Sequence, residues 1–182
     1  MILPIHIYGK ESLRKECREV LENEEGLSAL IDNMFETMYS ADGIGLAAPQ
    51  IGRDMQLFVI DITDVMDEES TEPEPFKRIF INAEIVDSSE ELAPYTEGCL
   101  SLPGINENVM RPDWIELNYL DENFVEHTTR FEGMWARVIQ HEYDHTIGKV
   151  FTDRVATLRR QLLRSKLQNL SRGNYSARYR TY

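Results

Sequence analysis

No apolar run in this 182-residue chain approaches the roughly 20 residues that a bilayer-spanning helix needs, so no such helix is expected. Cysteine is scarce. Cys17 and Cys99 are the only two, with no CxxC pair. That excludes a disulfide framework and suits a reducing, cytoplasmic setting in which a lone thiol is free to be a ligand. The first eight residues lack the basic start and small-residue cleavage site of a signal peptide, and read instead as a strand. There is no internal repeat and no low-complexity tract. Acid is missing from the end of the chain: from Arg154 onward there are eight Arg or Lys and no Asp or Glu. The whole chain carries −13, so the remaining 11 basic and 32 acidic residues leave residues 1–153 at −21. An acidic body with a basic end can be steered toward a polyanion through that end.

What is present supports one folded domain over residues 1–153, followed by a basic helix and tail over 154–182. Apolar content of 42% is ample for a core. A short helix is expected over residues 11–21, from Leu13, Cys17, Val20 and Leu21. A longer amphipathic one follows, with Leu27, Leu30, Ile31, Met34, Phe35 and Met38 on one face and Ser28 near its start. Strands are read at 56–62 and 78–86, with another inside 92–101. A hairpin is read from 114–120 and 124–131 around Asp121-Glu122-Asn123. Residues 64–75 are acidic and read as an exposed excursion. Gly133 opens a further helix that Gly148 ends. Leu158, Leu162, Leu163, Leu167 and Leu170 place a last amphipathic helix within 154–171, followed by a polar, frayed end. The fold class expected is α+β, with small antiparallel sheets packed around the helix after Gly133 and a helix at the C-terminus.

That central helix carries His141-Glu142-Tyr143-Asp144-His145. Met134, Val138, His141 and His145 share one face, and residues four apart on a helix are neighbours. Two imidazoles so placed can bind one divalent ion, with Glu142 beside the ion rather than on it. The plainer alternative is an ordinary buried helix face. A catalytic site wants a third protein ligand and one open position. Zinc peptidases commonly take it from downstream, but after His145 there is no His or Glu, and Asp153 is the only carboxylate. The candidates upstream are His6, Cys17, Glu97, Cys99 and His127. The two histidines sit in expected strands, and Cys17 on an apolar helix face. Cys99 is favoured because it lies in the turn-prone run Glu97-Gly98-Cys99-Leu100-Ser101, where a bound metal would deprotonate it.

Three stretches together, Gly43-Ile44-Gly45-Leu46-Ala47-Ala48-Pro49-Gln50, Glu97-Gly98-Cys99-Leu100-Ser101 and His141-Glu142-Tyr143-Asp144-His145, resemble in order the three motifs of bacterial-type peptide deformylases. The resemblance covers roughly residues 1–155. It implies hydrolytic removal of the formyl group from the N-terminal formylmethionine of nascent polypeptides, with release of formate. It also implies a metal on Cys99, His141 and His145, Fe(II) physiologically, with Zn, Ni or Co able to substitute. Glu142 is then general base and acid as activated water attacks the formyl carbon, while the Gln50 amide and the Leu100 N–H stabilise the oxyanion. Gly45 would pair with the substrate main chain, and Ile44, Tyr95, Glu97, Met134 and Val138, with the His141 ring, would complete the substrate site. Asp144 is open between orienting a neighbour and being a solvated charge. The basic end has a precedent as a ribosome-docking helix, its cations suiting rRNA phosphates. Its removal is then expected to weaken ribosome binding and spare activity on a short formyl peptide. No membrane or DNA partner is expected. Asn106 stands where some bacterial members carry a basic residue. A different metal-dependent amide hydrolase is the runner-up, and a non-enzymatic adaptor the more distant rival.

Overall fold

A computed structural model describes residues 1–66 and 75–182, and it has the mixed architecture expected of α+β chains. Helix α1 spans Leu27–Ser40 and is followed by strands β1 (Gly45–Ala47), β2 (Leu57–Asp61), β3 (Lys77–Ser88), β4 (Leu92–Gly98), β5 (Asn106–Pro112), β6 (Trp114–Leu120) and β7 (Glu126–Glu132). Helices α2 (Gly133–Thr146) and α3 (Thr157–Ser171) complete the chain. Five strands form one antiparallel sheet in the order β1-β2-β3-β6-β7, and β4 and β5 form a separate hairpin.

Strand β2 shows how the layers arise. Successive side chains of a strand point to opposite faces. Phe58 and Ile60 pack with Trp135, Ala136 and Ile139 of α2. Leu57 and Val59 pack on the other side with Met34, Phe35 and Met38 of α1. Both faces are covered, which is why β2 reads as a continuous apolar run. A third cluster joins Ile5 and Ile7, the segment after β4, and Leu163, Leu167 and Leu170 of α3. So α3 is fastened to the same body that carries the motifs. Helix α2 is buried on nearly every side, and its polar residues must therefore find partners inside the protein.

Several expectations give way. Residues 11–21 contain only one 3₁₀ turn, Glu11–Leu13. Leu13, Cys17 and Val20 are buried at helical offsets, but the last two bond to distant segments: Cys17 N–H to Thr146 O, and Val20 N–H to Asn82 Oδ1. Leu21 is exposed. Residues 1–8 form no strand of the sheet. They are extended, but their bonds go piecemeal to Gln50 O, Ser101 O and Arg180 O. The α1 N-cap is Gly26 at φ 75°, so Ser28 lies inside the first turn. Strand β5 carries no strand signal in the sequence, because its inward positions include the charged Glu107 and Arg111 beside Val109, which hides the apolar alternation. The β6–β7 loop extends to Val125, with Phe124 at φ 58° and the Asp121 carboxylate taking the N–H groups of Asn123 and Val125. The C-terminal end is not frayed: Ile5 and Thr181 form a parallel bridge. Of the acidic 64–75 excursion, Thr63–Val65 form a 3₁₀ turn, and residues 67–74 lie outside the described residues. Among the described residues no helix is long and apolar enough to cross a membrane.

Candidate metal centre

Helix α2 brings His141 and His145 one turn apart, with ring centroids separated by 5.3 Å. The turn after β4 carries Cys99 to them. The three side chains place one donor atom each within 4.8 Å of one another, and Cys99 Sγ lies 3.3 Å from His145 Nε2. With bonds of about 2.0–2.3 Å, two ligands on a common tetrahedral ion stand roughly 3.3–3.7 Å apart, so that separation suits a shared metal. Among the described residues no fourth His, Cys, Asp or Glu joins the cluster, so a tetrahedral ion held there would keep one position for a non-protein ligand. The alternatives lie elsewhere. His6 bonds to Ser12 Oγ and stacks on Tyr182. His127 bonds to Asp121 and stacks on Tyr119. Cys17 is buried, and burial pushes its thiol up to about 11.

Two buried atoms near the cluster lack a hydrogen-bond partner, His145 Nδ1 and Glu142 Oε2. Glu142 is buried beneath β1, where a Cβ on Gly45 would overlap its carboxylate, so only glycine leaves it room. Burial pushes the Glu142 carboxyl up to about 7, against the pull of the His141 charge. The His141 Nδ1 faces Glu97 Oε2 at 2.9 Å, which leaves Nε2 for an ion, the arrangement by which a carboxylate fixes a ligating imidazole. Burial opposes the charged form of His141, but Cys99 and Glu97 outweigh it and raise its basicity. Burial and the neighbouring His141 lower that of His145.

Glu97 anchors a buried ionic network. Arg111 grips both its oxygens at 2.7 and 3.0 Å, and Arg137 adds a bond at 3.0 Å. Burial disfavours the Glu97 carboxylate, yet the bonds from His141 and Arg111 hold it well below the usual range. Arg111 also reaches Asp144 Oδ2 at 2.8 Å, and Arg154 closes on Asp144 Oδ1 at 2.6 Å. Asp144 is 1% exposed, so it is a buried partner of two arginines and no solvated charge. Arg111 and Arg137 were not singled out from the sequence. Their signal, a charged residue on the inward face of a strand or buried helix, is visible only once burial is known.

The donors opposite the cluster are set by local bonds. Gln50 is buried, and its Oε1 accepts the Ala47 N–H at 2.8 Å, which turns Nε2 toward Ser101 Oγ (3.2 Å) and Cys99 Sγ (3.6 Å). The Leu100 N–H makes no hydrogen bond among the described residues, while its carbonyl accepts the Tyr179 hydroxyl at 2.6 Å. Burial and the adjacent Cys99 push that phenol up to about 12, so it keeps its proton and donates. A cleft of about 620 Å³ opens over the cluster. Ile44, Gly45, Gln50, Tyr95, Glu97, Cys99, Leu100, Met134, Val138, His141 and Glu142 all border it, as does Asn106. The sequence reading missed other parts of its wall: residues 40–42, 102–105, Arg137, and 176–179 of the tail.

The family model for polypeptide deformylase matches residues 2–161. A peptide deformylase of Salinibacter ruber is 50% identical over 182 residues, covering 98% of this chain and 93% of that relative. One from Flavobacterium psychrophilum is 44% identical, covering 99% and 96%. Among solved structures, the peptide deformylase of Plasmodium falciparum superposes with a TM-score of 0.83 at 34% identity, over 93% of this chain and 95% of that one. That of Thermus thermophilus gives 0.82 at 36% identity, over 96% and 100%.

Proposed function

This chain belongs to the polypeptide deformylase family and is a hydrolase, and we propose that it removes the formyl group from the N-terminal formylmethionine of nascent polypeptides, releasing formate. The observation that carries the reading is the meeting of Cys99, His141 and His145 at the floor of a cleft bordered by Glu142 and Gln50. The thiolate and two imidazoles are compatible with Fe(II), Zn, Ni or Co alike, and Fe(II) as the physiological ion is what membership of the family implies. When bound, such an ion supplies the Lewis acidity that makes water a nucleophile at neutral pH and polarises a carbonyl.

The residues supply the rest. Glu142 takes the proton as water attacks the formyl carbon, then returns it to the leaving amine. The Gln50 Nε2 and the Leu100 N–H point at the oxygen on which negative charge develops, and both are oriented before substrate arrives. Strand β1 is an edge of the sheet. Because Ile44 O takes the Asp61 N–H at 2.9 Å, alternation turns the Gly45 N–H and C=O to the outer side, where a substrate main chain can add as a strand. Ile44, Tyr95, Met134, Val138 and the His141 ring form the apolar seat for the methionine side chain. Glu97 serves that site indirectly, since its oxygens are taken by His141 and the arginines.

The basic end is the proposed contact with the ribosome. Of its eight cations, Arg154, Arg159 and Arg160 pair with acids of the body, while Arg164, Lys166, Arg172, Arg178 and Arg180 have no ion pair among the described residues. Because Ser176–Tyr179 border the cleft, removal of 154–182 is a poor test. Charge reversal at Arg164 and Lys166 should weaken salt-sensitive co-sedimentation with ribosomes, and unchanged co-sedimentation would refute the contact. The reaction itself is tested with protein purified without oxygen and assayed for metal. Formate should appear from a formyl-Met peptide while the unformylated peptide stays intact. Cleavage of a peptide bond without formate would instead support the other amide hydrolases.

A further inference from the structure

We propose that the C-terminal tail is part of the active-site wall and that Tyr179 is a positioning residue for the Leu100 oxyanion donor, an inference that rests on the role given to Leu100 above. The tail lies beyond residues 2–161, the span that the family model matches. It leaves α3 at Ser171 and returns across the molecule as an irregular segment that bends at Arg178 and Tyr179. Tyr175, Ala177, Tyr179 and Thr181 are half-buried, while Ser176, Arg178, Arg180 and Tyr182 are exposed. That period of two is what a ribbon lying on a surface shows.

The far end is pinned. Ile5 N–H bonds to Arg180 O and Tyr182 N–H to Ile5 O, each at 2.9 Å. The Tyr182 ring stacks on His6 and lies under Lys10 Nζ. Between the anchors, Tyr175 and Tyr179 pack against the third cluster alongside Cys99 and Leu100.

Both oxyanion donors are reached from this ribbon. Tyr179 holds the Leu100 carbonyl directly at 2.6 Å. That carbonyl belongs to the peptide unit following the Leu100 N–H, so fixing it restricts the rotation that would swing the donor away. The Cys99 carbonyl, in the donor's own peptide unit, accepts Leu102 N–H at 2.9 Å, and the Leu100 side chain packs against Gly43. The Gln50 side is reached through the N-terminal segment. His6 N–H bonds to Gln50 O at 2.7 Å and Tyr8 N–H to Ser101 O at 2.9 Å, and this segment is itself strapped by the tail at Ile5. A displacement near 1 Å at such a donor can cost about 10²-fold in rate, so a small restraint has a kinetic consequence.

The test uses the full-length, metal-loaded protein acting on a formyl-Met-Ala-Ser peptide. Tyr179→Phe should lower kcat about three- to tenfold, the range for one net hydrogen bond, with KM within about twofold. Its metal stoichiometry should match the wild type, and its Tm should fall by no more than the few degrees that one net hydrogen bond is worth in a chain of this length. Deleting residues 174–182 should lower kcat/KM about 10²-fold and raise KM as well, because a wall of the cleft is lost. Asn174→Ala, exposed at the start of the ribbon and outside the cleft wall, should leave kcat and KM unchanged. If the deletion unfolds the protein, the Tyr179→Phe split between kcat and KM decides. A Tyr179→Phe enzyme with wild-type kcat, or one whose loss follows only its metal content or Tm, overturns the inference. Those outcomes require an active wild type; a wild type inert toward formyl peptides overturns both this inference and the reading beneath it.

Discussion

The two sides of His141 hold charge in opposite ways. On the cleft side, Glu142 has one carboxylate oxygen without a partner, and burial pushes it up to about 7. On the other side, Glu97 and Asp144 are each clasped by two arginines and held below their ordinary range. All three carboxylates are buried. Burial alone therefore does not decide a carboxylate's state; its partners do. The unsatisfied acid borders the cleft, and the satisfied ones hold, directly or through Arg111, the His141 ring proposed as a metal ligand. A buried network of this kind is weak evidence for net stability, because the desolvation of its charges offsets their attraction. Its value lies in fixing the His141 ring.

The largest expected effect comes from the cleft side. Glu142→Gln keeps shape and removes the proposed base, so kcat should fall about 10²- to 10⁴-fold while metal content and Tm hold. Elemental analysis beside the formate assay checks this. A glutamine variant with near-normal turnover would erase the contrast, leaving Glu142 as one more structural carboxylate.

The supporting side should respond in the reverse manner. Arg111→Met removes a cation from both Glu97 and Asp144, each of which keeps another arginine. Breaking a buried pair from one side costs about 3–5 kcal/mol, and the remaining partners put this change near 3. Metal affinity should drop about 10- to 100-fold as His141 loses its fixed orientation, while kcat per bound metal changes far less. Urea unfolding and competition with a chelator separate these quantities. If kcat per metal collapses while affinity holds, the network takes part in the chemistry and the division between the two sides is misplaced.

That division also marks what could be read in the sequence. The cleft side was legible because its residues are contiguous: a helix-spaced His-Glu-x-x-His run and a cysteine in a turn need no tertiary knowledge. The helices α1, α2 and α3 and strands β2 and β3 were legible for the same reason, since their periodicity is local. The supporting side draws on β4, β5, α2 and Arg154; Arg111 and Arg137 differ from surface arginines only in being buried, and the exposed Arg154 only in reaching a buried carboxylate. Residues 11–21 show the converse error, in which helical spacing of Leu13, Cys17 and Val20 arose from a chain pinned by distant hydrogen bonds. In the tail, polar composition concealed the alternation of half-buried and exposed residues that fastens it.

The smallest effect concerns the two cysteines, which repeat the contrast on a single residue type. Cys99 borders the cleft, whereas Cys17 is 5% exposed and its thiol is pushed up to about 11 by burial, with Asp54 adding to the shift. A raised pKa keeps the unreactive thiol form in the folded state, and unfolding returns the residue to its ordinary range near 8.5. At pH 8 the folded-state thiolate fraction at Cys17 is then only about 10⁻³. Iodoacetamide at that pH should therefore leave Cys17 unlabelled in the native protein and modify it once denaturant is added, as read by peptide mass mapping. The sign has a second consequence: because the folded state holds this proton more tightly, the linked stability is fully present below pH 8.5 and declines as pH rises toward 11. Rapid native labelling at Cys17 would mean that its segment opens often, which the bond from Cys17 N–H to Thr146 O beside the second histidine argues against.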